Sequence, residues 1–473
     1  MGGWAHAEYY TMIMKRIIYI TLALATLSLQ GCKSLYGKYE RPDVNTKGLF
    51  SDSASLTDTL AVGDTTSFGN LPWRQVFTDP QLQQHIQTAL NNNPNLLNAA
   101  LNVDMAEAQL KAAKLSFLPQ FVFTPQGTLT RFNEATTKSY SLPVTASWNV
   151  PLFGGLVAAK RAAQVQLIQM KDYQVSVQTS LVAGVANLYY SLLMLDRQLE
   201  LVNEMEALTK NTWDIMKVQH ETVRGVRSTA VQSAESNYYS VLTNKADLKR
   251  QVREAENSLS LLLGQPAQTI ARGKLADQRL PETFSTGVGI QLLANRADVH
   301  ANEMALAACF YNVEEARSKF YPNISISATG GFSNGSGLVN PGKWLLSAVA
   351  SLTQPIFMNG QLTAGLRVAK DQYEQAFNTW QNSILTAGSE VSNALVLYNT
   401  SAEKSAIETK QIEVLKRNVE DTRSLMASAG STYLEVITAQ SSLLNVELSQ
   451  VADDFYKMQA VVNLYQALGG GAK

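Results

Sequence analysis

Residues 149–155 read NVPLFGG and close an alternating run, SLPVTASWNVPLFGG (141–155). Two hundred residues on, TQPIFMNG (353–360) closes another, WLLSAVASLTQPIFMNG (344–360). Proline ends ladder pairing because it has no N–H, and glycine then lets the backbone turn sharply. Each signal precedes a long, charged, alanine-rich stretch with almost no breakers. Pro151, Phe153 and Gly155 thus answer to Pro355, Phe357 and Gly360, and both trios read as joints between a strand and a long helix.

Working outward from the joints, the rest of the chain repeats as well. NLLNAALNVDMAEAQLKAAKLSFLPQF (95–121) aligns with DVHANEMALAACFYNVEEARSKFYPNI (298–324) at an offset of 203. The prolines and phenylalanines of the joints align at 204, and Gly225 with Ala234 matches Gly430 with Ala439 at 205. Self-similarity at a fixed period marks a repeated structural unit. Each unit reads helix, strand, strand, long helix, helix. The divisions expected are a leader and signal peptide (1–31), an extended segment (32–78), a first repeat (79–288) and a second (289–473). Within the repeats, strands fall at about 119–152 and 322–356, and long helices at about 156–263 and 362–468.

None of the thirteen prolines lies in 156–224, 226–263, 362–429 or 431–468. At 1.5 Å per residue the two longer segments would each run ~100 Å. Their apolar residues step by four and three, as in Leu181, Val185, Leu188, Leu192, Leu195, Leu199 and Val202. Leu248, Val252, Ala255, Leu259 and Leu262 continue the pattern, and so do Leu444, Leu448, Val451, Phe455, Met458 and Val462. That spacing is a coiled-coil seam.

The strands alternate differently. In 141–152, Leu142, Val144, Ala146, Trp148, Val150 and Leu152 share one face, and Ser141, Thr145, Ser147 and Asn149 share the other. In 322–334, Ile324, Ile326, Ala328 and Phe332 alternate with Asn323, Ser325, Ser327 and Thr329. Short segments that are apolar outside and small-polar inside suit a transmembrane β-barrel. A soluble sandwich gives similar alternation and is the better reading of the alternation alone. The lipobox-like N-terminus at 29–32, with Phe121, Phe132, Trp148 and Trp344 near the strand ends, reverses that in favour of the barrel. Four strands cannot close a barrel, and an open edge is not tolerated in lipid. Several copies must share one barrel, and a homotrimer with twelve strands has room for an aqueous pore.

The N-terminus points to the same compartment. Met14-Lys15-Arg16 starts a basic region, IIYITLALATLSL follows, and Leu29-Gln30-Gly31-Cys32 closes it. The apolar run is too short to span a bilayer and reads as a signal peptide. Its end resembles a lipobox, which makes Cys32 the lipidation site, with Gln30 departing from the commonest pattern. The signal makes sense from Met14, so the true start is Met1 or Met14. Lys33 and Ser34 follow the cysteine without an aspartate that would hold the protein at the inner membrane, which favours outer-membrane lipid. Acidic and basic residues balance at 39 each, with no basic block to bind nucleic acid. Two cysteines give no disulfide framework.

Taken together, FTDPQLQQHIQTALNNNP (77–94), the PLFGG and PIFMNG junctions, SLLLGQP (260–266), RGVRSTAVQSAES (224–236) and SAGSTYLEVITAQ (428–440) resemble the TolC-like outer-membrane efflux proteins, particularly their lipid-anchored branch. The resemblance covers nearly the whole mature chain. It implies a mixed membrane fold: a trimeric twelve-stranded β-barrel, four strands per chain, continuous with a long α-helical coiled-coil tunnel. It also implies a location in the outer membrane of a Gram-negative bacterium, with the tunnel projecting into the periplasm. A periplasmic adaptor (membrane fusion) protein and an inner-membrane transporter of the RND type would dock at the far end. Carried over residue by residue, it places adaptor contacts at the turns Arg224-Gly225 and Ala429-Gly430, although turn geometry alone would justify both glycines. It places Glu435 and Thr438 at the gate of the tunnel, where relatives often carry aspartates. A solvated first-turn carboxylate is the plainer account of Glu435.

Other motifs carry less. Gly331-Phe332-Ser333-Asn334-Gly335 matches the hydrolase elbow G-x-S-x-G, but no helix follows it. His6, His85, His220 and His300 lack metal spacing, and Cys309 reads as a small buried apolar residue. The chain is expected to be no enzyme and to hold neither cofactor nor metal, its only attached group being the lipid on Cys32. The expected function is a passive exit duct for small molecules, powered by its partner. The alternatives are a lipid-anchored periplasmic coiled-coil spacer, or a duct for metal ions or polypeptides.

Overall fold

The computed structural model describes residues 37–44, 68–133, 135–222, 227–279, 281, 296–334, 343–427 and 433–472. In chain order, helices α1 (Pro80–Asn92) and α2 (Pro94–Leu115) precede strands β1 (Gln120–Phe123), β2 (Gln126–Phe132) and β3 (Ala135–Pro151). Helices α3 (Gly155–Thr222) and α4 (Ser228–Leu262) follow, then α5 (Ala297–Ser318), β4 (Asn323–Ser333) and β5 (Lys343–Thr353). The last two are α6 (Gln361–Ala427) and α7 (Tyr433–Ala467). Two compact units form, and each draws on both sequence repeats. One takes Met1–Asp43, Ala106–Leu167 and Met304–Phe377; the other takes Val44–Met105, Ile168–Glu303 and Asn378–Lys473.

The first unit holds an antiparallel sheet in the order β1-β3-β4-β5, with β2 also on β3. β1 and β2 are one strand in one register, since Gln120 lies opposite Ser147 and Gln126 opposite Ser141. Thr124 N still donates to Pro143 O at 3.1 Å, and the ladder lapses there because Pro143, having no N–H, cannot return a bond to Thr124 O. The sheet is therefore four antiparallel strands, as the sequence leads one to expect. β3 runs for 17 residues, longer than its alternating run suggests, because its first residues extend past the end of β4 and pair with β2 alone.

Register turns the alternation into a surface. Leu142 faces Phe332, which faces Trp344; Val144, Gly330 and Leu346 form the next row, and Ala146, Ala328 and Ala348 the next. Trp148, Ile326 and Ala350, then Val150, Ile324 and Leu352, complete one apolar face. The other face carries Thr145, Thr329 and Ser347 in one row and Ser147 and Ser327 in the next, with a hydroxyl contact of 3.1 Å from Thr145 to Thr329. Gly331 is needed here because a Cβ would sit 2.3 Å from Leu142 O.

The joints use their residues unequally. At the first, β3 ends on Pro151, the left-handed residue is Gly154 (φ 77°), and Ala158 N donates to Gly154 O as α3 begins. Gly155 serves another need: a side chain there would meet Ser318 Oγ at 2.5 Å. Phe153 stacks on Tyr321 with centroids 4.6 Å apart. At the second joint Gly360 (φ 78°) holds the position of Gly154, and Asn359 is also left-handed. Ile356 and Phe357 are 95% and 80% exposed there.

The second unit is a helical bundle. Asp79 caps α1 by accepting from Gln81 N at 2.8 Å, with Pro80 at the first helical position. Asn93 does the same for α2 through Asn95 N and ties the bundle together by donating to Leu262 O at 2.9 Å. The expected seams are interior: Leu181, Val185, Leu192, Leu195, Val202, Leu259, Val451, Phe455 and Val462 are buried in one core with Tyr189, Tyr190 and Tyr465. Arg272 bridges α3 and α4 by pairing Asp196 and the buried Glu256. Among the described residues no helix is long and apolar enough to cross a membrane.

Candidate functional site

The sequence directs attention to the turns between α3 and α4 and between α6 and α7. Arg224, Gly225, Ala429 and Gly430 lie outside the described residues, as does Cys32. The helix ends beside those turns are placed. Met216 of α3, Ala230 and Ala234 of α4, Met426 of α6 and Val436 of α7 form one small apolar core. The two repeats thus bring their turn-proximal ends into one cluster, which pure repeat arithmetic does not require.

Glu435 is exposed in the first turn of α7, next to the fully buried Val436. Thr438, one turn on, donates its hydroxyl to Leu434 O at 2.7 Å, so that hydroxyl is engaged by its own helix. Deeper in α7, Gln440 is completely buried and donates to Thr212 Oγ1 of α3 at 3.1 Å. Val419, Arg423 and Met426 of α6, Met205, Leu208 and Ile215 of α3 and Leu443 of α7 are among the residues lining a groove of about 750 Å³.

Higher on the same hairpin lies a polar interruption that reading for apolar periodicity misses. Glu408 of α6 is 9% exposed and Asp453 of α7 is 2% exposed. Ser449 Oγ donates to Glu408 Oε1 at 2.6 Å, Lys404 Nζ donates to Asp453 Oδ1 at 2.8 Å, and Ser405 Oγ donates to Asp454 Oδ1 at 2.8 Å. Burial raises the Glu408 pKa above its ordinary value, and the Asp453 charge and a hydrogen bond to Asp453 raise it further. Ser449 and Lys404 oppose that shift without cancelling it. The available signal was spacing: Glu408 stands four residues before Ile412, in the α6 row that goes on to Val419.

Nothing in the placed helix ends resembles a reaction centre. Among the described residues, no group of three or more His, Cys, Asp or Glu could hold a metal ion. His85 Nε2 meets Ala271 O at 2.8 Å and His300 Nδ1 meets Asp172 Oδ2 at 2.7 Å, both structural contacts. Ser333, the serine of the elbow-like motif, is the last residue of β4 and lies opposite Lys343 in a regular ladder, not at a strained nucleophile turn.

Comparison with known proteins identifies the family to which these repeats belong. A family model described as "Outer membrane efflux protein" matches residues 85–265 and again 289–470. The chain is 28% identical over 468 residues to the probable outer membrane lipoprotein SilC of Salmonella typhimurium, covering 95% of this chain and 98% of the relative. It is 28% identical over 458 residues to the cation efflux system protein CusC of Escherichia coli K12, covering 94% and 97%. A crystal structure of CusC superposes with a TM-score of 0.81 at 25% identity, over 92% of this chain and all of that one.

Proposed function

The chain belongs to the outer membrane efflux protein family, and from that premise we propose that three copies form the outer-membrane duct of a tripartite efflux pump. The sheets join as a single barrel in the lipid, and the long helices line a tunnel in the periplasm. The observation that carries this reading is the sheet of one chain, with its apolar face and with β1–β2 and β5 as edges that pair with no further strand among the described residues. In hydrocarbon an unpaired edge leaves N–H and C=O groups unsatisfied, so β5 of one copy must pair with the β1–β2 strand of the next. Ile356 and Phe357, exposed just past β5, would be covered by the same closure.

The lipid on Cys32 anchors the duct from the membrane side. The turns at Arg224-Gly225 and Ala429-Gly430 meet the periplasmic adaptor, and an inner-membrane transporter of the RND type supplies the energy. Glu435 and Thr438 stand at the mouth of the tunnel. The chain's own work is passive conduction of small molecules. Metal cations are the second reading, favoured by the likeness to a protein named for cation efflux.

Heat-modifiable trimers in gels, discrete conductance in planar bilayers and protection of 119–152 and 322–356 from protease in membranes are the expected results. Digestion of both hairpins in the membrane-bound protein would replace the barrel with a lipid-anchored coiled-coil spacer. Affinity purification of the adaptor and pump, followed by uptake assays on drugs and metal salts, decides the substrate.

A further inference from the structure

The apolar face of the sheet has a defined upper limit. Between Val150 and Leu142 it spans eight residues, about 27 Å along the strand at 3.4 Å per residue. With the usual barrel tilt of about 35–45° that is roughly 20 Å of height, which fits within the ~25 Å apolar band of an outer-membrane barrel. Away from the joints the band ends in aromatics: Phe332 and Trp344, with centroids 4.6 Å apart, and Tyr140 in the following row.

Beyond Tyr140 the β2–β3 hairpin continues without β4 beside it. On the same face it carries Leu129 opposite Lys138, and Arg131 opposite Thr136. Alternation puts Arg131 and Lys138 on one side, as diagonal neighbours on adjacent strands, about 7–8 Å apart at Cα. Both are exposed. They are the only charged residues among the described residues of this face, and no ion pair among the described residues involves either. The remaining sheet cation, Lys343, alternates onto the polar face with Leu345 and Ser347. The one acidic residue of the hairpin sequence, Glu134, lies outside the described residues.

A single basic residue above an aromatic belt is an interfacial anchor. Two donors on adjacent strands, just above that belt, can hold one phosphate between them, and the apolar face below continues as a surface for acyl chains. We propose that Arg131 and Lys138 form a binding site for the phosphate of an anionic lipid headgroup in the outer leaflet, with the acyl chains lying on the apolar face beneath. The proposal rests on the barrel reading above, which puts this face against lipid and this hairpin at the external surface. Charge complementarity and continuity with the apolar face select a membrane lipid over a soluble anion or a protein.

The test uses full-length trimers in phosphatidylcholine nanodiscs, titrated with diphosphorylated lipid A, with the same glycolipid chemically dephosphorylated, and with inorganic phosphate. Bound lipid per trimer is read by native mass spectrometry. The wild type should favour the phosphorylated lipid roughly tenfold, two basic residues at a membrane surface supplying at least that much. Arg131→Gln with Lys138→Gln should abolish the preference, Lys343→Gln should keep it, and inorganic phosphate should not displace the lipid. Equal retention of both lipids by the wild type overturns the proposal, as does unchanged preference in the double variant or displacement by free phosphate. The wild-type comparison of the two lipids stands even where a variant fails to assemble. Protein that never enters the discs contradicts the barrel itself; protein that enters without phosphate preference contradicts only the site.

Discussion

The Tyr189 hydroxyl of α3 donates to the Asp79 carboxylate at 2.6 Å, so the residue that caps α1 is also a fastening point of the bundle. Gln278 donates to the same oxygen at 2.8 Å, and Gly273 N donates to Tyr189 Oη at 3.0 Å. Burial pushes the Asp79 pKa up, but Tyr189, Gln278 and the backbone of Gln81 and Leu82 outweigh it, leaving the pKa below its ordinary value. A carboxylate with a depressed pKa adds stability above its unfolded pKa and loses it as pH falls through the folded one. Asp79→Ala should cost about 1–2 kcal/mol near neutral pH through loss of the cap and its buried partners. Asp79→Asn, which keeps a cap, should cost less and remove this part of the acid sensitivity. Thermal unfolding in detergent between pH 3 and 7 checks both.

Arg272 supports a larger effect. It pairs with the half-exposed Asp196 and with Glu256, whose side chain is almost wholly buried at 2.7 Å from Nη1. Burial pushes the Glu256 pKa upward, yet the Arg272 and Arg253 hydrogen bonds win and lower it. Arg272→Ala leaves a buried carboxylate short of its main partner, which costs about 3–5 kcal/mol. Adding Glu256→Gln should recover part of that loss, and chemical denaturation of the single and double variants measures the coupling.

How far these features could be read in advance depends on how local their signals are. The joints, the four strands and the two repeats announce themselves through proline, glycine and alternation within about ten residues. The short lapse between β1 and β2 does not announce itself in that way, because the missing donor, Pro143, belongs to the partner strand β3. Gly155 reads as the turning residue when Gly154 turns and Gly155 admits Ser318, a contact 163 residues away in sequence. Glu408 and Asp453 look like ordinary surface charges on two long helices. Only the pairing of α6 with α7 buries them.

That burial makes the α6–α7 hairpin sensitive to pH. Glu408 faces Lys404 on its own helix and Ser449 and Asp453 on α7, with Asp454 and Tyr456 close by. Its pKa is raised from 4.5 in the folded state, so folding takes up a proton there. The proton-linked stability is complete below the unfolded pKa and is lost as pH rises through the folded one. Glu408→Gln keeps an amide beside Asp453 and removes the titration. Its melting temperature should match the wild type near pH 4 and exceed it increasingly toward pH 8. Parallel melting curves across that range would show that the pair does not titrate with folding.

Glu435 tests the mouth of the duct against a plainer role in the helix. As a first-turn acid it favours α7 through the helix dipole by about 0.3–1 kcal/mol, whatever else it does. In a trimer three such carboxylates would ring a narrow opening, attract cations and repel one another against closure. With the Thr438 hydroxyl committed to Leu434 O, Glu435 is left as the charged group of that pair. Glu435→Ala should therefore lower cation selectivity and change single-channel conductance in planar bilayers, with a rise expected if the ring holds ions in the opening. Glu435→Gln separates the two roles, since it keeps the side-chain length and hydrogen bonding while removing the charge. Loss of selectivity in both variants assigns the charge to the pore. A small fall in melting temperature with unchanged conductance and selectivity assigns it to the helix alone.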